Sequence, residues 1–189
     1  MKTLIQAYQA ALSQQIAALD VDAIELLGQR LLECCNTRGQ VFICGNGGSA
    51  GNAIHLANDF LYGIDPSGER SLKVEALPAN SSVLTCLGND IGYDKIFSHQ
   101  LKVKANHGDV LIVLSGSGNS PNIIRALEQA KASAMISFAI LGYDGGTAKS
   151  LADHAIHSDI NDMQIAEDLQ LIIGHMLMQF MHSQLTASC

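Results

Sequence analysis

"VFICGNGGSAGNAIH", residues 41–55, decides how the chain is read. A short apolar, β-rich run at 41–45 passes into Gly45, Gly47, Gly48 and Ser49, and then into a helical pattern. Glycines placed there let backbone come close to a ligand, and a helix start offers unpaired N–H groups. Together they suit an anion, most often a phosphate. The stretch nearly satisfies G-x-G-x-x-G/A through Gly45, Gly47 and Ala50, the dinucleotide fingerprint. That fingerprint needs an acidic residue closing the next strand, and "KVEALPAN" supplies only Glu75 in mid-strand. The dinucleotide reading is therefore weak.

Outward from this stretch the same grammar repeats. "VEAL" (74–77), "VLIVLS" (110–115), "FAILG" (138–142) and "HAIHS" (154–158) are further short β-rich runs. All but the last are nearly continuous in apolar residues, as parallel strands buried on both faces are. Helical stretches at 49–62, 94–103, 120–132 and 146–152 separate most of them. Residues 3–18 and 22–37 form two amphipathic helices before the first strand. A long helix at 163–183 ends the pattern, with Ile165, Leu169, Ile172, Met176 and Phe180 on one stripe. Strand–helix alternation predicts an α/β fold with a doubly wound parallel sheet, whose ligands bind at the carboxyl ends of the strands. The expected organisation is one domain over 1–189, with a helical pair at 1–38 and the α/β core at 39–189.

A second loop sits in the equivalent place. "VLIVLSGSGNSPN" (110–122) ends a strand in Ser115, Gly116, Ser117, Gly118, Asn119 and Ser120. Ser120 suits an N-cap and Pro121 the first helical position. Neither loop contains Lys or Arg, so a phosphate would be held by hydroxyls and helix-start N–H groups. A serine nucleophile elbow would need G-x-S-x-G, which "GSGNS" is not.

Composition narrows the partners. Hydrophobic residues make up 48% and charged ones 15%, which supports a buried core. The net charge of −7, without a basic run, argues against direct nucleic-acid or anionic-membrane binding. The N-terminal segment is too polar for a signal peptide, and no apolar run is long enough to span a bilayer. Cys34, Cys35, Cys44, Cys86 and Cys189 form no CxxC pair and read as free thiols of a reducing, cytoplasmic setting.

Three further groups carry chemistry. His55 and Asp59 are four apart on one helix face, which suits a two-point metal chelate or an acid–base pair, and equally a plain helical ion pair. His175 lies in the apolar run "LIIGHMLMQ", eight residues after Glu167. "GNDIGYD" (88–94) offers Asn89 and Asp90 to sugar hydroxyls, or is a turn.

In order, "CGNGGSAGNAIHLANDF", "LGNDIGYDKIFSHQL", "GDVLIVLSGSGNSPNIIRALEQA", "LGYDGG" and "AEDLQLIIGHML" resemble the sugar isomerase (SIS) domain family, most of all its phosphoheptose isomerase branch. The resemblance spans nearly the whole chain. It implies a five-stranded parallel sheet, a homotetramer with active sites at subunit interfaces, and aldose–ketose isomerisation through an enediol, commonly with zinc. By position it implies that Asn46, Gly47, Gly48, Ser49, Asn89, Asp90, Ser115, Gly116, Ser117, Ser120 and Glu167 line the sugar-phosphate site. It implies His55, Asp59, Glu167 and His175 as metal ligands, with Asp59 and His175 also the acid–base pair. Asp59 stands where the family has Glu, and Glu167 where many members have Gln. The alternative within the resemblance is a non-catalytic regulator that binds a sugar phosphate or the replication initiator DnaA. That branch lacks the acid at position 59. Residues eight apart on a helix lie ~12 Å apart along its axis and ~80° around it. An intact helix therefore makes it hard for Glu167 and His175 to grip one ion.

Overall fold

The computed structural model describes residues 1–186; Cys189 lies outside the described residues. Five strands, β1 (Gln40–Gly45), β2 (Lys73–Ala76), β3 (Val110–Ser115), β4 (Ile136–Leu141) and β5 (His154–His157), form one parallel sheet in the order β2-β1-β3-β4-β5. This is the doubly wound α/β architecture expected. The alternation of side chains along each strand divides the core into two layers. Val41, Ile43, Val110, Ile112, Leu114, Phe138 and Ile140 point to one side, and Phe42, Cys44, Leu111, Val113, Ala139 and Leu141 to the other. Both sets are buried, which is why these strands read as continuous apolar runs.

The first layer is covered by α2 (Val21–Thr37), α3 (Gly48–Asn58) and α8 (Met163–Thr186). The second is covered by α5 (Ser98–Lys104), α6 (Pro121–Ala132) and α7 (Gly146–Leu151), with α4 (Ser81–Asp90) at its edge. Helix α1 (Lys2–Ala17) lies outside both layers and buries none of its residues. It rests on α8, where the Tyr8 hydroxyl donates to Asp168 Oδ2 at 2.6 Å.

Three local features differ from the sequence expectation. Residues 81–90 form a helix, where the sequence offered only "GNDIGYD" (88–94) as a sugar contact or a turn. Asn80 caps it, its side chain accepting from the Val83 N–H at 3.1 Å. The helix expected at 49–62 changes character at Asp59, where residues 59–63 form a π-helical turn. On α8 the buried stripe is Ile165, Leu169, Ile173, Leu177 and Met181, while Met176 is 43% exposed. Apolar residues such as Ile172, Met176 and Phe180 also lie beside the buried stripe, so periodicity does not select which face packs; the contacts with α2 and α3 do.

Candidate active site

Strand order reverses direction between β1 and β3, so the loops leaving these neighbours diverge and open a crevice at their carboxyl ends. Asn46, Gly47, Gly48 and Ser49 form one wall, and Ser115, Gly116, Ser117 and Ser120 another. Met163 and Glu167 of α8 close the third side of a cavity of about 260 Å³. Of the residues expected at the sugar phosphate, all but Asn89 and Asp90 line it. Those two lie exposed in the last turn of α4, where Asn89 Nδ2 donates to Asp90 Oδ1 at 2.8 Å. Met163 was missed in the sequence, because a methionine at a helix start carries no signal of a ligand wall.

The backbone of both loops needs its glycines. Gly47 takes φ +55°, and Gly118 takes φ +64° with a Cβ there colliding with the Gly145 carbonyl. The turn after β3 is tied by Ser115 Oγ, which accepts from the Gly118 N–H at 3.1 Å, and by Ser117 Oγ, which accepts from the Asn119 N–H at 3.3 Å. Ser120 stands at the N-cap position of α6, but its hydroxyl makes no capping bond. Ser120 lines the cavity. Helix α3 is clamped to α8 by Gln170, whose Nε2 donates to Ser49 Oγ at 3.1 Å, and by Asn52, which donates to Gln170 Oε1 and to the Glu167 carbonyl, each at 3.0 Å. The Glu167 side chain folds over the open Cα face of Gly48; a Cβ at Gly48 would occupy the space of that carboxylate.

The second feature joins residues far apart in the chain. His55 Nε2 lies 3.0 Å from His175 Nε2. Asp59 Oδ2 is 3.3 Å from His55 Nε2 and 3.5 Å from His175 Nε2. A tetrahedral ion bound at ~2.1 Å separates its ligand atoms by about 3.4 Å, so three ligand atoms at these spacings fit a divalent metal. Two imidazoles and a carboxylate are also a usual donor set for such ions. The triad can hold a metal ion. Both imidazoles are about half exposed, which leaves open coordination positions toward solvent or substrate. Glu167 does not join the triad: α8 is unbroken, and the eight-residue separation carries its carboxylate to the neighbouring cleft.

Comparison with known proteins places this architecture. Residues 6–142 match the SIS domain family. The chain belongs to the SIS domain family. It is 36% identical over 182 residues to the phosphoheptose isomerase of Chlorobaculum parvum, covering 94% of this chain and 86% of that protein. It is 40% identical over 141 residues to the phosphoheptose isomerase of Burkholderia pseudomallei, covering 74% and 70%. Among solved structures, the phosphoheptose isomerase of Neisseria gonorrhoeae superposes with a TM-score of 0.88 at 29% identity, covering 96% of this chain and 98% of that one. The enzyme from Francisella tularensis superposes with a TM-score of 0.87 at 26% identity, covering 96% and 97%. More distant SIS folds, such as the RpiR transcription factor of Sphaerobacter thermophilus at 15% identity, share the fold.

Proposed function

We propose that this chain is a sugar-phosphate aldose–ketose isomerase that converts sedoheptulose 7-phosphate to D-glycero-D-manno-heptose 7-phosphate through an enediol. The observation that carries the reading is the convergence of His55, Asp59 and His175 beside an anion-type cleft, in a chain so similar to phosphoheptose isomerases along its length. Ser115, Ser117 and Ser120, with the helix-start N–H groups of α3 and α6, hold the phosphate end and so position the far carbons. Asp59 Oδ2 faces the two imidazoles, and Oδ1, which accepts only a long bond from Asn58 Nδ2 at 3.5 Å, keeps a lone pair to take the proton from the carbon next to the carbonyl. With its Nε2 turned to the triad, His175 moves a proton to or from the neighbouring oxygen at Nδ1. His55, Asp59 and His175 would hold a zinc ion, and the chemistry it would supply there is polarisation of the carbonyl. The regulator branch lacks the acid at position 59, and this chain keeps Asp59 there, so the regulator is the weaker reading.

The working unit is a homotetramer with sites shared between subunits. Leu4, Ile5 and Ile16 of the uncovered α1, with Val21 and Met176, are exposed apolar groups that association would cover. A cytoplasmic setting suits the free thiols of Cys34, Cys35, Cys44 and Cys86. No helix of the described residues is long and apolar enough to cross a membrane.

The test is incubation with a panel of ketose phosphates, with and without zinc, while aldose phosphate is measured. Sedoheptulose 7-phosphate is the expected substrate; no turnover with any member of the panel rules the reading out. Light scattering checks the assembly, and a single monomeric species removes the shared site.

A further inference from the structure

Asn122 is the second residue of α6 and is 1% exposed. A polar side chain at that depth needs hydrogen-bond partners. It finds them in one residue on the opposite loop. Asn46 Nδ2 donates to Asn122 Oδ1 at 2.8 Å, and Asn122 Nδ2 donates back to Asn46 Oδ1 at 2.7 Å. The Tyr93 hydroxyl adds a third bond, donating to Asn46 Oδ1 at 3.1 Å.

The donor and acceptor count has a chemical consequence. A carboxamide oxygen accepts at two lone pairs, and both on Asn46 are taken. Its nitrogen has two N–H groups, and one is taken. The other has no partner among the described residues, and Asn46 lines the cleft. The terminal torsion of a free asparagine has two broad wells and could turn either end to a ligand. Here a flip of Asn46 alone breaks the matched pair with Asn122 and the bond from Tyr93, so the amide plane is held and, in the observed orientation, the cleft meets a donor. A phosphate, hydroxyl or carbonyl oxygen accepts from that N–H, whereas a flipped amide oxygen would repel it.

We propose that Asn122, assisted by Tyr93, is a positioning residue. It locks the Asn46 carboxamide so that one N–H points at an oxygen of the bound sugar phosphate, and it ties the β1–α3 loop to the serine loop after β3 as one unit. The identity of the ligand rests on the isomerase reading; the locking does not.

A double-mutant cycle on Asn46 and Asn122 tests this. If Asn122 acts through Asn46, Asn122→Ala lowers kcat/KM by about 10- to 100-fold in the otherwise unchanged enzyme. In the Asn46→Ala background the same change costs less than about 3-fold. Tyr93→Phe keeps the ring, sits at an exposed position and serves if Asn122→Ala folds poorly. It lowers kcat/KM less, and its effect also vanishes in the Asn46→Ala background. Equal losses in both backgrounds, tracking a lowered Tm, mean a structural role only and overturn the proposal. So does unchanged kcat/KM in both single variants. If the unaltered protein shows no turnover, the isomerase reading falls alone, and the same cycle is read on the calorimetric Kd for sedoheptulose 7-phosphate. Coupling there supports the locking; its absence, or no binding at all, ends it.

Discussion

The Nε2 atoms of His55 and His175 face each other at 3.0 Å, although 120 residues separate them. Two neutral imidazoles at that distance share one proton, or both turn lone pairs to an ion. Asp59 Oδ2, within 3.5 Å of each, adds the negative charge that an ion would meet. Metal content should therefore follow this triad. Purified protein should carry about one zinc per chain, lose activity on chelation and regain it with zinc. His175→Ala should abolish both stoichiometric metal and turnover, read by elemental analysis and isomerase assay.

Asp59 separates catalysis from binding. Asp59→Asn removes the base and the anionic ligand but leaves the serine loop untouched. Isomerisation should be abolished while sugar-phosphate affinity stays within about 3-fold, because the two features use different side chains. Asp59→Glu adds one methylene of reach. It should keep or raise the rate, since a misplacement of ~1 Å can cost ~100-fold. Steady-state kinetics beside calorimetric binding distinguish these outcomes.

The three loop serines should not behave alike. Ser120 makes no capping bond, so Ser120→Ala should weaken phosphate binding by roughly 1–3 kcal/mol with little change in Tm. Ser117 holds only its local turn, and Ser117→Ala should weaken binding in the same way. Ser115 is 6% exposed and accepts from the Gly118 N–H. Ser115→Ala should lower stability as well as affinity, by about 1 kcal/mol in thermal unfolding.

Glu167 places a carboxylate at the start of α3, inside the cleft that should receive a phosphate. Like charges repel, and the loops carry no Lys or Arg to offset it. Glu167→Gln should tighten sugar-phosphate binding by roughly 3- to 10-fold at low salt, less at high salt. Metal content should be unchanged, because Glu167 stands outside the His55–Asp59–His175 group. A loss of zinc in this variant would instead make Glu167 a ligand.

The attachment of α1 should depend on pH through Tyr8. The hydrogen bond to Asp168, then burial and the nearby acidic charges, push its phenol up to about 12 from 10.0. The folded value is raised, so the stabilisation is complete below pH 10 and disappears as pH rises through about 12. At neutral pH, Tyr8→Phe should cost about 0.5–1 kcal/mol, since solvent reaches the bond. The Tm gap between Tyr8→Phe and the unaltered protein should close between pH 10 and 12.

Local physics made much of this protein legible before its structure. Strands buried on both faces are apolar at nearly every position, so "VFICG", "VLIVLS" and "FAILG" announce a parallel sheet. Loops that bring backbone to an anion require glycine and hydroxyl residues, so both walls of the cleft could be named from 45–49 and 115–120. The four-residue spacing of His55 and Asp59 set them on one helix face. Other features have no local code. Helix α8 carries apolar residues on more than one face, and only its packing against α2 and α3 turned His175 toward His55 and laid Glu167 over Gly48. The amide pair of Asn46 and Asn122 likewise spans 76 residues and exists because β1 and β3 are neighbours in the sheet. Spacing along a chain encodes which side chains share an element. Which elements face each other follows from how apolar surfaces fill the space between them, and that is decided only when the whole core packs.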